Sequence, residues 1–193
     1  IGGERVSSVL KSIRLEAVRP DHLAELYQWA TAPGSAFRWR FGGTTPSPDH
    51  FRDAAWSGVL CQFLAVDASG THHGLVVCYG ADHANGHAYW AVQGNPSRAT
   101  GVGTMVGMLL LVDHVFRHWA FRKLYAEVAS YNESEFANAL RRYTQTEGVL
   151  VDHIYHDGRY WDQTTYALYR NDWIENIRPI FAQLLGERSP EAS

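Results

Sequence analysis

Residues 97–111, SRATGVGTMVGMLLL, set an arginine and two glycines directly ahead of a long apolar run. Within and beyond that run Met105, Met108, Leu109, Val112, Phe116 and Trp119 recur at helical spacing, which predicts a helix with one buried face. Upstream lie CQFLAVDA (61–68), HGLVVCYG (73–80) and HAYWAVQG (87–94), strand-like segments joined by SGTH and by the Asn-Gly of DHANGH. Connections that short make the three strands antiparallel neighbours. Downstream, KLYAEVAS (123–130) reads as a strand again, so the chain passes from strand through helix to strand, a crossover that permits a parallel pair. The fold class follows as α/β with α+β character: a mixed, mostly antiparallel sheet flanked by helices.

Toward the N-terminus, Ile13, Leu15 and Ala17 alternate as a half-buried strand, and the period changes at Pro20. Asp21 is the expected cap of a helix whose Leu23, Leu26 and Tyr27 share a face. Ser47 followed by Pro48 announces a second helix, because proline at the first helical position gives up no hydrogen bond. The loop FRWRFGGTTP carries Phe37, Trp39 and Phe41. Toward the C-terminus, NESEFANALRRY (132–143) predicts a helix capped by Asn132, and GVLVDHIYH and RYWDQTTYALY form a hairpin around Asp157-Gly158. These elements bring the strand count to seven. Trp173, Ile177, Ile180, Phe181 and Leu184 line one side of a terminal helix. Its cover is either the chain's own core, the ordinary fate of an amphipathic helix, or a second copy in a homodimer.

A chain of 193 residues with 46% hydrophobic content supports one sizeable core and hence one domain. The net charge of -3, with no basic run longer than Arg141-Arg142, argues against nucleic acid as partner. The most apolar stretch, Met105 to Phe116, is too short to cross a bilayer, and Asp113 and His114 interrupt it. Residues 1–12 lack the pattern of a signal peptide, and the sequence starts at Ile1 rather than at an initiating Met. The expectation is a cytoplasmic chain without membrane attachment, of bacterial type given its preference for Arg over Lys. Cys61 and Cys78 form neither a disulfide framework nor a CxxC site, so a reducing compartment is the default.

Three phosphate-binding readings compete for the glycine loop. A Walker loop needs Gly-Lys followed by Ser or Thr, and there is none. A dinucleotide fingerprint needs GxGxxG, whereas Gly101, Gly103 and Gly107 are spaced GxGxxxG among hairpin-linked strands. The third is RATGVG (98–103), between a strand and a helix start, where glycines let a ligand approach the backbone and the first amides of the helix point at a diphosphate. A glycine that merely turns the chain is the bland alternative.

With RATGVG, KLYAEVASYNESEFANAL and EGVLVDHIYHDGRYWDQTTYALYRNDW in view, the sequence resembles the GNAT superfamily of acyl-CoA-dependent N-acetyltransferases, in its RimJ/RimL-like branch. The resemblance spans residues 13–173, with a tail at 1–12 and a terminal helix and tail at 174–193. It implies a seven-stranded sheet and transfer of an acetyl or short acyl group from acetyl-CoA to an amine of a small molecule, peptide or protein, in a ternary complex. It implies pantetheine pairing along Ala91, Val92 and Gln93, diphosphate at Arg98, Ala99, Thr100, Gly101, Val102, Gly103 and Thr104, and a cofactor-arm contact from Asn132. A base and a thiolate proton donor are required. Glu127 on the strand after the crossover is the first candidate base and His87 the second; Ser134 and Tyr143 are the candidate donors. The alternative is an acyl-CoA sensor or partner-binding domain on the same fold that does not turn over. YTQTEG (143–148) replaces the family's usual Gly-Phe there, and Gly86 stands where many relatives carry an acid. His114 and His118 share a helix face but lack a third ligand, so no metal is expected.

Overall fold

In the computed structural model the described residues are 12–37, 40–98, 101–133 and 141–185. Trp39, Ala99, Thr100 and Ser134, all singled out from sequence, lie outside them, as does most of the helix expected over 132–143. The chain divides into two compact units, residues 1–80 with 92–114, and residues 81–91 with 115–193.

Seven strands form one sheet: β1 (Arg14–Ala17), β2 (Val59–Val66), β3 (His72–Asp82), β4 (His87–Gly94), β5 (Lys123–Ala129), β6 (Gln145–His156) and β7 (Arg159–Tyr169). Their order is β1-β2-β3-β4-β5-β7-β6. β1 with β2, β2 with β3, β5 with β7 and β6 with β7 are antiparallel. β4 with β5 is the parallel pair that the crossover requires. Among the described residues the α-helices longer than one turn are α1 (Leu23–Thr31), α2 (Pro48–Ala54), α3 (Val102–His118) and α4 (Arg178–Leu185). No helix among the described residues is long and apolar enough to cross a membrane.

In the first unit Val18, Leu26, Trp29, Ala30, Phe51, Leu64, Val66, Leu75 and Val77 make a core that brings α1 and α2 onto the sheet. Ser47 caps α2 as expected, its Oγ accepting from His50 N at 3.2 Å. Asp21 does not cap α1. Pro20 starts a 3-10 turn, the Arg19 amide donates to His22 Nδ1 (3.2 Å), and Asp21 stays outside beside the Arg19 guanidinium. At β1 the inward residues are Ile13 and Val18 at its borders, while Ala17 is exposed. Phe41 packs on Phe51 (ring centroids 5.7 Å), whereas Trp56 is half exposed.

α3 occupies the predicted span with a wider buried face. Val106, Met108, Leu111, Val112, Val115 and Phe116 are inside, while Met105 and Leu109 are only partly covered. Two glycines permit its close approach in the first unit. A Cβ at Gly103 would stand 2.4 Å from His73 Cγ, and one at Gly107 2.5 Å from Ala65 Cβ. His114 turns edge-on to Phe63 at 5.0 Å while His118 lies beside Trp119. In the second unit Arg170 closes the other end of α3, its guanidinium donating to the carbonyls of Phe116, Trp119 and Phe121.

The closing hairpin turns at Asp157-Gly158, both at positive φ (51° and 78°), as a two-residue type I′ turn demands. The chain then leaves β7 through a π-type turn over Trp173–Ile177. That extra residue per turn rotates the apolar stripe, so Trp173, Ile177 and Phe181 are buried but Ile180 is 48% exposed, against the strict helical spacing read from sequence. Trp173 and Phe181, whose rings meet at 6.2 Å, are both buried.

Candidate functional site

In the first unit the segment from Gln93 to α3 is tied to β3 at its root. Asn95 N donates to His73 O (2.9 Å) and Asn95 Nδ2 to His72 O (2.8 Å). Asn95 Oδ1 in turn accepts from Ser97 N (2.9 Å), shaping the turn that presents an exposed Arg98. The inward phase set by Ala88 and Trp90 in β4 slips by one at its end, so that Gln93 is buried and Val92 is 38% exposed. Gln93 Nε2 has no hydrogen-bond partner among the described residues. Such an amide costs stability unless something accepts from it.

The two glycines of the loop do different work. Gly103 is packed on His73, and its neighbour Thr104 is buried with Oγ1 donating to His73 O at 2.8 Å. Gly101 is exposed, and a Cβ there would meet nothing within 4 Å. The helical ladder begins with Met105 N donating to Gly101 O (2.9 Å). The amides of Val102, Gly103 and Thr104 therefore precede the ladder, leaving the positive end of the helix dipole beside an open backbone. The His73 ring that supports this turn is held by Asp67 (2.9 Å). Asp67 is drawn far below the usual carboxylate range by hydrogen bonds from Ser69 first, and from His73 and Thr71, against a smaller effect of burial.

In the second unit β4 and β5 stay paired for only three residues, His87↔Lys123, Ala88↔Leu124 and Tyr89↔Tyr125. β5 continues to Ala129 paired on its other side with β7, Glu127 opposite Thr165 and Ala129 opposite Gln163. His87, Tyr89, Lys123, Tyr125 and Glu127 thus share one face of the sheet. Their rings interlock: Tyr125 lies 5.4 Å from His87 and 5.3 Å from Tyr89. Glu127 is exposed next to them. Burial, and then the negative charge of Glu127, raise the Tyr89 phenol above its ordinary value.

At the Lys123 end of that face the polar groups satisfy one another. β6 bulges between Thr146 and Gly148, which aims Glu147 across the sheet. Lys123 Nζ, itself buried, donates to both Glu147 oxygens at 2.8 and 2.6 Å, and the hydroxyls of Tyr125 (2.7 Å) and Tyr169 donate to the same carboxylate. Burial alone would push Glu147 up. The bonds from Lys123, Tyr169 and Tyr125 outweigh it and hold the carboxyl down at about 2.

At the other end β5 runs into a 3-10 turn, Ser130–Asn132, and there Asn132 Oδ1 is buried with no partner among the described residues. Next to it Glu133 accepts from Tyr166 Oη (3.2 Å), Thr164 Oγ1 (3.4 Å) and Arg141 (2.7 Å). Tyr143 is not brought to this turn. Two residues after it, Gln145 pairs with Ala167, which faces Tyr125. That is four residues of strand, about 13 Å, from Ala129. Tyr143 instead lines a shallow groove with Arg142, Asp172, Asn176 and Ile180. His83, on the other side of the Asn-Gly turn from His87, stacks on Phe121. Of the second-unit candidates, then, the structure sets Glu127 and His87 on one face, Asn132 just beyond it, and Tyr143 elsewhere. Sequence reasoning passed over Tyr89 and Tyr125, although period-two counting from Glu127 reaches Tyr125. Glu147 carries no such signal, because a bulge aims it.

No protein-family model matches the sequence, and no curated protein matches it. Solved structures do. A spermidine N-acetyltransferase from Vibrio cholerae in complex with CoA and spermine superposes with a TM-score of 0.75 at 17% identity, over 85% of this chain and 99% of that one. A spermidine/spermine N-acetyltransferase from Vibrio cholerae in complex with manganese ions gives 0.69 at 17% identity, over 88% and 99%. A probable acetyltransferase of the GNAT family from Chromobacterium violaceum gives 0.66 at 21% identity, over 84% and 85%. The chain has the fold of GNAT acetyltransferases.

Proposed function

We propose that this chain is an N-acetyltransferase that moves an acetyl group from acetyl-CoA to a primary amine. The observation that carries the proposal is the start of α3, where Gly101 leaves the backbone open in front of helix amides that precede the ladder. Those amides, with Arg98, would hold the diphosphate of CoA. The orphaned polar atoms of Gln93 and Asn132 fit the same reading in their separate units, each a buried group that a polar ligand arm would satisfy. When bound, the cosubstrate supplies a thioester carbon open to attack by an amine.

In the second unit Glu127 would accept the proton that an ammonium must lose before it attacks, directly or through one water, with His87 as the second candidate. The aromatic faces of Tyr89 and Tyr125 beside that carboxylate favour a cationic acceptor. CoA and spermine in the neighbour's complex make polyamines the first acceptors to test. The RimJ/RimL-like placement rests on the glycine loop, the strand after the crossover with its helix and the closing hairpin together, and predicts peptide N-termini as the competing acceptor class.

Calorimetric titration with acetyl-CoA, paired with a thiol-release assay over polyamines and peptides, tests the proposal. Saturable binding with CoA release for at least one amine supports it. Tight binding with no release for any amine would instead make the chain a sensor, and the absence of binding overturns both.

A further inference from the structure

The two cysteines, far apart in sequence, face each other across the first unit's sheet. β2 and β3 run antiparallel with Cys61 directly opposite Cys78. Directly opposed residues of an antiparallel ladder have Cα atoms roughly 4.5 or 5.5 Å apart, whichever kind of pair they form. Both separations fall inside the roughly 4.4–6.8 Å that a disulfide spans. Opposed side chains also project from the same face of the sheet, so the two thiols are neighbours there. One residue away the ladder is already loosened, because the register shifts between Val59 and Cys61. A bulge there gives the strand freedom to adjust to a covalent cross-link.

The two thiols differ in surroundings. Cys78 is wholly buried, while Cys61 is partly exposed. We propose that Cys61 and Cys78 are a redox pair, in which Cys61 reacts with a hydroperoxide and Cys78 resolves the product as an intramolecular disulfide. Donation from the Cys78 thiol draws Cys61 below the ordinary thiol value, whereas that same bond and burial hold Cys78 above it. Reactivity belongs to the thiolate, so the accessible member of the pair is also the nucleophilic one.

The chemistry balances in two steps. The Cys61 thiolate attacks one peroxide oxygen; the O–O bond breaks, an S–O bond forms, and with one proton the other oxygen leaves as water, or as an alcohol from an alkyl hydroperoxide. Sulfur has lost two electrons and stands as a sulfenic acid. Cys78 sulfur then attacks Cys61 sulfur, the S–O bond breaks, and the thiol proton leaves with the hydroxide as a second water. A reversible disulfide of this kind is compatible with a reducing compartment, where such bonds serve as transient sensors. The proposal does not depend on acetyl transfer.

The test uses the full chain, reduced, freed of reductant and exposed to hydrogen peroxide. Catalase then stops the reaction, and the chain is alkylated in guanidinium and weighed intact. Untreated protein should take two alkyl groups. Treated protein should take none, show Cys61 and Cys78 peptides joined, and recover both sites with dithiothreitol. Cys78→Ser should stop at a sulfenic acid on Cys61 that dimedone traps, and Cys61→Ser should leave Cys78 unmodified. Retention of both alkylation sites in the treated wild-type chain, sulfinic acid without a cross-link, or cross-links only between chains would each overturn the proposal. None of those three results requires a variant to fold.

Discussion

The two ends of β5 carry similar side chains to opposite ends. At Lys123 a bulge in β6 delivers Glu147, and the carboxylate is consumed by one ammonium and two phenols. At Glu127 and Asn132 a carboxylate stands exposed, and a buried amide oxygen has no partner among the described residues. One strand thus holds a saturated polar cluster that secures the sheet and, four residues on, polar capacity left unspent. A site that binds ligand needs the second kind, and the first keeps it in place. Removing Glu147 attacks this contrast most directly, since the Lys123 charge would remain buried without its counterion. Glu147→Ala should cost about 3–5 kcal/mol in urea unfolding. The double variant with Lys123→Met should recover much of that, because the charge and its partner leave together. A single-variant cost under about 1 kcal/mol would mean that the Lys123 end is not structural.

The same cluster fixes an acid limb. Its carboxyl has a folded pKa near 2 against an ordinary value of 4.5. A depressed pKa contributes stability that is full above the unfolded value and is lost as pH falls toward the folded one. The window therefore runs from about pH 5 down to 2, and stability is lost progressively across it as the carboxyl takes up its proton. Lys123, raised above its ordinary value by Glu147, belongs to the same interaction and adds nothing separate. Unfolding free energies measured from pH 6 to pH 2.5 should fall for the wild type, and fall distinctly less for Glu147→Gln.

Glu127→Gln probes the unspent end. An exposed substitution should leave thermal unfolding within about 0.5 kcal/mol of the wild type. If Glu127 takes the proton of the acceptor, kcat/KM for acetyl transfer should drop at least about hundredfold, with the loss in kcat. A drop in stability with activity intact would reverse the roles of the two ends.

What could be read from the sequence divides along similar lines. Periodicity and turn chemistry placed all seven strands and the crossover, since alternation, Asp157-Gly158 and the apolar stripe of α3 are local signals. The Asp21 cap failed because His22, a residue later, satisfies the Arg19 amide within a 3-10 turn. Ile180 was set on the wrong side because a π-type turn inserts a residue that a 3.6-residue count cannot foresee. At the proposed site, the resemblance pointed to Gly101, whose backbone is open, and to Gln93 and Asn132, each with a buried polar atom that has no partner among the described residues. The Glu147 cluster was not, because a bulge is a register property of two strands and neither sequence alone records it. Tyr143 shows the reverse, a reactive side chain at a plausible spacing that the register carries to another end of the sheet.

The glycines of the loop offer the sharpest contrast. Valine at Gly103 would drive a methine carbon into the His73 ring, which Asp67 fixes, so the ring cannot swing away without losing its partner. Overpacking of that kind costs about 1–3 kcal/mol, and any weakening of acetyl-CoA binding would come with a lower melting temperature. Valine at Gly101 meets nothing in the described fold, and φ there is not positive, so unfolding should scarcely change. A branched side chain there would nonetheless cover the helix amides, and acetyl-CoA affinity measured by calorimetry should fall at least about tenfold. Equal affinity in Gly101→Val and wild type would remove the diphosphate from the start of α3, because only the ligand, and no contact within the described fold, could register that substitution.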